Sequence, residues 1–309
     1  LTEQVVGCAY PVFQHLEYLG AQSGTIFQDD TPVCIQSLLK ENQTLEKGQR
    51  TGMQTTGLVC VGEEHTVILY YSGRRHAGEN LEALLAHRDC ALPPPIKMSD
   101  ALTANAVKLI QTIVCHCLSH ALIKFKEIVD SFPQACQNVL HALGLVYDHD
   151  DQAKQQKLSA DQRMQYHQTH SAPVLTVLFQ WLEQQFENRD VEPHSSLGKA
   201  MQYLLNHWHE LTQFLRIPGA PLDNNTSERA LKAAIRRRKV SYFFKSTYSA
   251  QVGGVLLSIQ ETARQANINV VHYLTVLQQR SQAVREDPGR WLPWNYQDTL
   301  RESVPALAA

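Results

Sequence analysis

Residues 222–239 read LDNNTSERALKAAIRRRK, and this stretch predicts the helix around which the rest of the chain is arranged. Asn225 and Glu228 stand three residues apart, the spacing of a capping box, which places Glu228 near the start of the helix. Leu231 follows on the same helical face, so the Glu228 carboxylate is predicted to point towards the body of the protein. Such a carboxylate is typical either of a helix cap or of a metal ligand.

Basic side chains follow Glu228 with no acid among them. They are Arg229, Lys232, Arg236, Arg237, Arg238, Lys239 and Lys245. Adjacent bases on one helix cannot all face the core, although the helix dipole also favours positive charge near a helix end. The pattern therefore predicts either a solvated helix end or a surface that binds a polyanion such as DNA.

The composition limits the class of protein. With 309 residues and 43% hydrophobic content, the chain can bury one large domain or one domain with an insertion. The net charge of -2 gives no overall basic signal, so any contact with nucleic acid must come from a local patch. We find no apolar run of membrane-spanning length, no secretory leader and no disulfide pattern among the seven cysteines, which predicts a cytoplasmic protein with reduced thiols.

The first half of the chain has the pattern of a mixed sheet. Alternating apolar and polar residues predict strands, and three-to-four-residue apolar spacing predicts helices. The predicted order is strands at 25–35, 52–61 and 65–71, a helix at 76–87, a strand at 96–99, a helix at 101–111 and a strand at 112–118. This order predicts an α/β fold with an RNase H-like five-stranded sheet and flanking helices.

Three acidic positions are expected to meet at this sheet. Asp29, or its neighbour Asp30, lies in the first strand, Asp100 directly follows the fourth strand, and Glu228 lies on the later helix. Ligand sites in such sheets lie near the carboxyl ends of strands. Carboxylate oxygens suit Mg²⁺ or Mn²⁺, and three carboxylates can hold the two metals of a phosphoryl-transfer site.

A second group of metal-type residues lies at the predicted fifth strand. Cys115, His116, Cys117 and His120 are close in sequence, but tetrahedral zinc needs a closed set of ligands and no second pair is apparent. We therefore favour packing at the end of the strand, with His120 as a further candidate near the acidic site.

The distance in sequence between Asp100 and Glu228 predicts a helical insertion. Ser159 and Gln162 have the spacing of a cap, and apolar residues follow helical spacing before and after 190. The predicted division is a lead-in of a truncated chain at 1–24, a core at 25–147, a helical insertion at 148–217, the second part of the core with the catalytic helix at 218–285, and a tail at 286–309.

The segment DNNTSERALKAAIRRRK resembles the catalytic region of bacterial insertion-sequence transposases of family number sixty-six, whose members carry a similar DNN-x-x-ER segment. The similarity continues through GRRHAGENLEALLAHRD, PPPIKMSDAL, CLSH, HSSLGKAMQYLLNHW and LPWNY, and it covers nearly all of residues 25–300. The resemblance implies a DDE transposase that needs Mg²⁺, with Mn²⁺ as a substitute. It implies Asp29, Asp100 and Glu228 as the catalytic and metal-binding acids.

The resemblance also implies DNA as the partner, both transposon ends and target, with a homo-oligomer on DNA as a further expectation and no membrane partner. The residues expected to bind DNA are Asn224, Asn225, Arg229, Lys232, Arg236, Arg237, Arg238 and Lys239. Family members carry an N-terminal DNA-binding region, so we expect this sequence to be part of a longer protein.

The sequence departs from the family pattern at two places. The family's D-E-T segment is here Asp29-Asp30-Thr31, which keeps Asp30 as a second candidate for the first acid. The usual basic pair after the C-x-x-H segment is here Leu122-Ile123. Two alternatives therefore stay open, namely an RNase H-like nuclease without joining activity and an inactive remnant that only binds DNA or a partner.

Overall fold

The computed structural model describes residues 2–302, which form two compact units. Within this range, the first unit comprises residues 2–97, 102–113 and 225–302, and the second comprises residues 98–101 and 114–224. Residues 303–309 of the predicted tail lie outside the described residues. Of the three expected acids, Asp29 and Glu228 belong to the first unit and Asp100 to the second.

The sheet has five strands in the order β3-β2-β1-β4-β5. The strands are β1 (Thr25–Pro32), β2 (Gln54–Val61), β3 (Thr66–Gly73), β4 (Ile96–Ser99) and β5 (Ile113–His116). β1, β2 and β3 are antiparallel neighbours. The Ile96 amide donates to Gly24 O at 2.8 Å and the Ile113 amide to Pro95 O at 2.9 Å, so β1, β4 and β5 start side by side and run parallel. The predicted mixed five-stranded sheet is confirmed.

Thirteen α-helices complete the part of the chain that the structure describes. They are α1 (Thr2–Gln22), α2 (Gln36–Asn42), α3 (Ala77–Leu85), α4 (Leu118–Lys126), α5 (Pro133–Gln155), α6 (Ala160–Glu187), α7 (Ser196–Asn206), α8 (Trp208–Leu211), α9 (Asn225–Ser241), α10 (Thr247–Gln265), α11 (Val270–Gln279), α12 (Ser281–Glu286) and α13 (Tyr296–Glu302). Short 3₁₀ turns lie at Thr103–Asn105, Gln213–Leu215 and Pro288–Trp291.

The main core of the first unit lies between one face of the sheet and helices α1, α3, α10 and α11. Helix α10 also covers the edge strand β3. Its Ser258 Oγ accepts from the Tyr70 amide at 2.8 Å, and its Thr262 Oγ1 accepts from the Ile68 amide at 3.0 Å. A Cβ on Gly254 would lie 2.6 Å from Tyr70 O, so only glycine allows this approach. The Ser258 and Thr262 hydroxyls thus satisfy backbone groups at a sheet edge that could otherwise pair with another chain.

A buried polar network joins α5 to α6 in the second unit. Asp150 is 1% exposed and lies 2.7 Å from Lys154 Nζ, and its Oδ1 accepts from Arg163 Nε at 2.7 Å. His167 Nε2 lies 3.1 Å from the same carboxylate, and His167 Nδ1 lies 2.9 Å from the hydroxyl of Ser171. Ser171 is fully buried, so this Asp-His-Ser arrangement fixes two helices and has no access to a substrate.

Residues 2–22 form one long helix, α1, in which a stripe of buried residues offsets the hydrogen bond lost at Pro11. One prediction in the N-terminal half of the chain was wrong. Residues 101–111 contain only the 3₁₀ turn instead of a helix. There Asn105 O accepts from Gln28 Nε2 at 2.6 Å and from Lys97 Nζ at 2.8 Å, so side chains bind the carbonyl that a helix would use.

Two helix boundaries in the second unit follow from the local sequence. Pro133 begins α5, since its fixed φ and missing N–H suit the first helical position. The apolar spacing across residues 197–215 is divided into α7, α8 and a 3₁₀ turn, with the break at His207. The Ser159–Gln162 capping box at the start of α6 is confirmed.

Candidate active site

The adjacent acids Asp29 and Asp30 point to opposite faces of β1, because side chains alternate along a strand. Asp30 faces α3, where its Oδ2 accepts from the Ala77 amide at 2.9 Å and lies 3.3 Å from His76 Nδ1. Its Oδ1 accepts from Thr56 Oγ1 at 2.5 Å. Asp30 therefore binds the N-terminal end of a helix, where negative charge is stabilised.

Asp29 lies on the face of the sheet that α9 covers. It pairs with Gly57 across β1 and β2, and directly paired residues share a face. A Cβ on Gly57 would lie 2.9 Å from Leu231 Cδ2, so the glycine admits α9 at this point. Two residues beyond Asp29 on the same face, Thr31 Oγ1 accepts from Arg238 Nη1 at 3.4 Å.

Glu228 lies in the first turn of α9, three residues before Leu231, and is half-buried. Because α9 begins at Asn225, a capping box would by position pair Asn224 with Ser227, so Glu228 is not the capping residue that the spacing allowed. Tyr70, which pairs with Gly57, donates its hydroxyl to Ala230 O at 2.7 Å and fixes this part of the helix on the sheet. Asp29 and Glu228 thus belong to the same side of the first unit.

Four bases of α9 form one exposed face. At 3.6 residues per turn, they fall within about 80° of one another around the helix axis. This basic stripe consists of Arg229, Lys232, Arg236 and Lys239, all exposed. Glu228 lies at the boundary between the stripe and the buried face of the helix.

The other two bases of α9, Arg237 and Arg238, are used by the protein itself. Arg237 donates to Gly253 O at 2.9 Å and lies over the Phe244 ring, 5.3 Å from its centroid. Burial lowers the pKa of Arg237. Arg238 donates to Pro32 O. The basic stripe therefore contains those predicted DNA-binding bases that are exposed to solvent.

Asp100 directly follows β4 and belongs to the second unit, where Tyr203 of α7 is close to it. Burial raises the pKa of Tyr203 to about 12, and the charge of Asp100 adds to the rise, while a hydrogen bond with the Ala101 backbone opposes it. Lys124 Nζ lies over the Tyr203 ring, 4.5 Å from its centroid. Sequence reasoning missed Tyr203 as a neighbour of Asp100, although it lies within the HSSLGKAMQYLLNHW segment that carries the resemblance.

The remaining candidates differ in exposure. Asn224 is fully buried, and its amide donates to Cys117 Sγ at 3.2 Å, whereas Asn225 is exposed at the first position of α9. His120 is half-buried in the first turn of α4. Of these three side chains, Asn225 is the exposed one.

The donor chemistry of the acids fits a hard divalent cation. Asp29 and Glu228 are partly exposed carboxylates on one side of the first unit, and carboxylate oxygens are the ligands that Mg²⁺ and Mn²⁺ prefer. Glu228 makes no hydrogen bond or ion pair with any residue between 2 and 302. In the same range of residues, no helix has the length and apolar character needed to cross a bilayer.

Comparison with known proteins identifies the family. Residues 3–252 match the family described as "Transposase IS66 family". Two curated relatives come from Sinorhizobium fredii (strain NBRC 101917 / NGR234). The chain is 29% identical to "Uncharacterized protein y4jD" over 185 residues, 58% of this chain and 35% of the relative, and 24% identical to "Uncharacterized protein y4hP" over 276 residues, 84% of this chain and 48% of the relative.

The chain therefore spans less than half the length of both relatives. The family match covers β1 to β5 and helix α9, and so includes all three acids and the basic stripe. It agrees with the resemblance that the sequence motifs indicate. The chain belongs to the IS66 family of transposases.

Proposed function

We propose that this chain is the catalytic region of a DDE transposase with an RNase H-like core and a helical insertion before the third acid. The observation that carries the proposal is the position of Asp29 and Glu228 on one side of the first unit, beside the basic stripe. The strand order, with antiparallel β1 to β3 followed by parallel β4 and β5, supports the RNase H-like assignment.

In this proposal, Asp29, Asp100 and Glu228 hold two Mg²⁺ ions, for which Mn²⁺ can substitute. When bound, such a pair stabilises charge on the attacking and leaving oxygens of a phosphodiester. Asp30 keeps β1 attached to α3 and leaves Asp29 as the first acid. Tyr70 holds α9 against the sheet, so that Glu228 keeps a fixed position.

The basic stripe and Asn225 would bind the DNA backbone next to Glu228. Phosphate contacts fix the position of DNA without reading its sequence. In the first step, a water molecule attacks the phosphodiester and releases a DNA 3′-hydroxyl; in the second, this hydroxyl attacks a target phosphodiester and displaces another 3′-hydroxyl. In each step one P–O bond forms and one P–O bond breaks. The first step leaves a 5′-phosphate beside the released 3′-hydroxyl, and the second replaces one phosphodiester with another.

The proposal is tested with Glu228→Gln, which keeps the shape of the side chain but removes its charge. The substrate is labelled DNA that carries the transposon-end sequences on either side of the gene for this protein. Its cleavage with Mg²⁺ should fall by orders of magnitude in the variant, while DNA binding and thermal stability stay at the parent level. Cleavage at the parent rate by this variant would refute the DDE assignment. Cleavage without joined products in the parent would favour the nuclease, and binding without cleavage would favour the inactive remnant.

A further inference from the structure

Three metal-type side chains meet in the second unit, and none of them is one of the three carboxylates discussed above. They are His116 at the end of β5, His207 between α7 and α8, and Glu210 in α8. Each offers one ligand atom, and these atoms all lie within 4.8 Å of one another. All three residues are half-buried, so the group is formed by the fold and is still open to solvent.

Local structure explains why these residues meet. The break at His207 makes this residue the N-terminal flank of α8, and Glu210 follows three residues later, a spacing that puts both side chains on one side of a helical turn. The His116 and His207 rings meet edge to face, with centroids 5.2 Å apart and planes at 89°. The two elements therefore present their ligands to a common point.

The alternation of side chains along β5 separates His116 from the cysteines beside it. Cys115 and Cys117 are fully buried, and Cys117 Sγ accepts a hydrogen bond from the Asn224 amide. His116 points to the other face of the strand. The metal ligands that the Cys115–His120 segment lacks in sequence are thus supplied by His207 and by Glu210 of α8. These residues lie 91 and 94 positions after His116 in the chain.

We propose that His116, His207 and Glu210 bind one Zn²⁺ ion and leave a fourth position for water or another ligand. Two imidazoles and one carboxylate are a known zinc donor set, and tetrahedral zinc with three protein ligands keeps such an open position. The nitrogen ligands favour a transition metal over Mg²⁺, which prefers oxygen. Small rotations of the three side chains bring their atoms to zinc coordination distances of about 2.0–2.2 Å.

The zinc site would fix the surroundings of Asp100. The Tyr203 ring lies 4.9 Å from the His207 ring, and the same tyrosine is close to Asp100 and to the Ala101 backbone. At the end of β5, the Cys117 amide donates to Ser99 O at 3.0 Å. A metal that joins β5 to α8 would thus hold Tyr203 and Ser99, which flank Asp100, in place. The three zinc ligands would therefore act as positioning residues for Asp100.

Zinc titration of the full chain tests the proposal. After treatment with a chelator, calorimetry in excess Mg²⁺ should show one Zn²⁺ per chain, because Mg²⁺ occupies the oxygen-rich acids. Glu210→Gln and His207→Ala should each weaken Zn²⁺ binding by at least about 10-fold, since even the loss of a residue that only hydrogen-bonds to a metal ligand costs about 10–100-fold. His209→Ala is the matched control, because this exposed histidine lies between the two ligands and should leave binding unchanged.

Co²⁺ in place of Zn²⁺ identifies the ligands. The visible spectrum should be that of tetrahedral Co²⁺ without a thiolate-to-cobalt charge-transfer band, and Glu210→Gln should change it while circular dichroism stays the same. A thiolate band that Cys117→Ser removes, a loss of affinity in His209→Ala equal to that in His207→Ala, or no zinc binding in the parent would each overturn the proposal. Asp29→Asn should leave zinc binding intact, so this result is separate from the test of catalysis.

Discussion

Asp150 of α5 and Glu228 of α9 are both helical carboxylates, but the protein uses them differently. Asp150 is 1% exposed and is surrounded by Lys154, Arg163 and His167. Burial alone would raise its pKa, but hydrogen bonds with His167 and Lys154 and the charges of Arg163 and Lys154 hold it well below the ordinary value. Glu228 is half-buried beside exposed bases, and within residues 2–302 it has no ion pair or hydrogen bond.

Two neighbours in β1 differ in the face of the sheet on which they lie. Asp30 accepts hydrogen bonds from Thr56 and from the first amide of α3, whereas Asp29 faces α9. An acid that the protein itself satisfies contributes to stability. Asp29 and Glu228 lie on the α9 side of the first unit, beside the basic stripe, and are the acids proposed for chemistry. Each prediction below tests this distinction.

The largest effect is expected from Asp29→Asn. If Asp29 is the first catalytic acid, DNA cleavage with Mg²⁺ should fall about 1,000-fold or more, equal to about 4 kcal/mol of transition-state stabilisation. Asp30→Asn is the matched control and should retain cleavage while lowering the free energy of unfolding by about 1–2 kcal/mol. Cleavage assays and urea denaturation of both variants decide the assignment, and the reverse pattern would make Asp30 the first acid.

Asp150→Asn should cause the largest loss of stability. Removing one charge from a buried ion-pair network leaves its partners uncompensated, so the free energy of unfolding should fall by about 3–5 kcal/mol. Asp151→Asn is the control, because this side chain is 68% exposed and should change stability by less than about 0.5 kcal/mol. Equal effects of the two substitutions in urea denaturation would contradict the structural role of Asp150.

The contribution of Asp150 should depend on pH in one direction. Because its folded-state pKa lies below the unfolded value of about 3.9, the stabilisation is complete above about pH 5 and is lost as the pH falls further. The difference in unfolding free energy between the parent and Asp150→Asn should therefore shrink below about pH 4. A difference that stays constant from neutral to acidic pH would show that the charge of Asp150 does not stabilise the fold.

A smaller effect is expected from single bases of α9. Lys232→Ala and Arg236→Ala should each lower the salt slope of DNA binding by about one unit and weaken all sequences alike. Arg237→Ala should mainly lower stability, because this side chain binds Gly253 O and packs on Phe244. Binding curves at several salt concentrations separate these roles. An unchanged slope in both stripe variants would show that the basic stripe is only a solvated helix face.

The sequence predicts most of the sheet and the helix that carries Glu228. Alternation and short turns are local signals, and they predict all five strands to within a few residues. The family resemblance, which rests on ordered motifs, is confirmed by the match over residues 3–252. The three acids stay a prediction, which rests on their order along the chain.

Other features depend on contacts that sequence spacing does not record. The face of Asp29 and the helix-end role of Asp30 are fixed by strand register with Gly57 and Thr56. The 3₁₀ turn at Asn105 follows from side chains that bind its carbonyl, and the meeting of His116 with His207 follows from the break between α7 and α8. Such long-range contacts decide the details of the candidate sites.

The most direct test of the central claim is a crystal structure of the chain with Mn²⁺, located by its anomalous scattering. We expect Mn²⁺ at about 2.0–2.6 Å from carboxylate oxygens of Asp29, Asp100 and Glu228, with Asp30 still bound to the first turn of α3. Mn²⁺ bound to Asp30 instead of Asp29, or no Mn²⁺ within coordination distance of Glu228, would contradict the assignment of these carboxylates as one catalytic metal site.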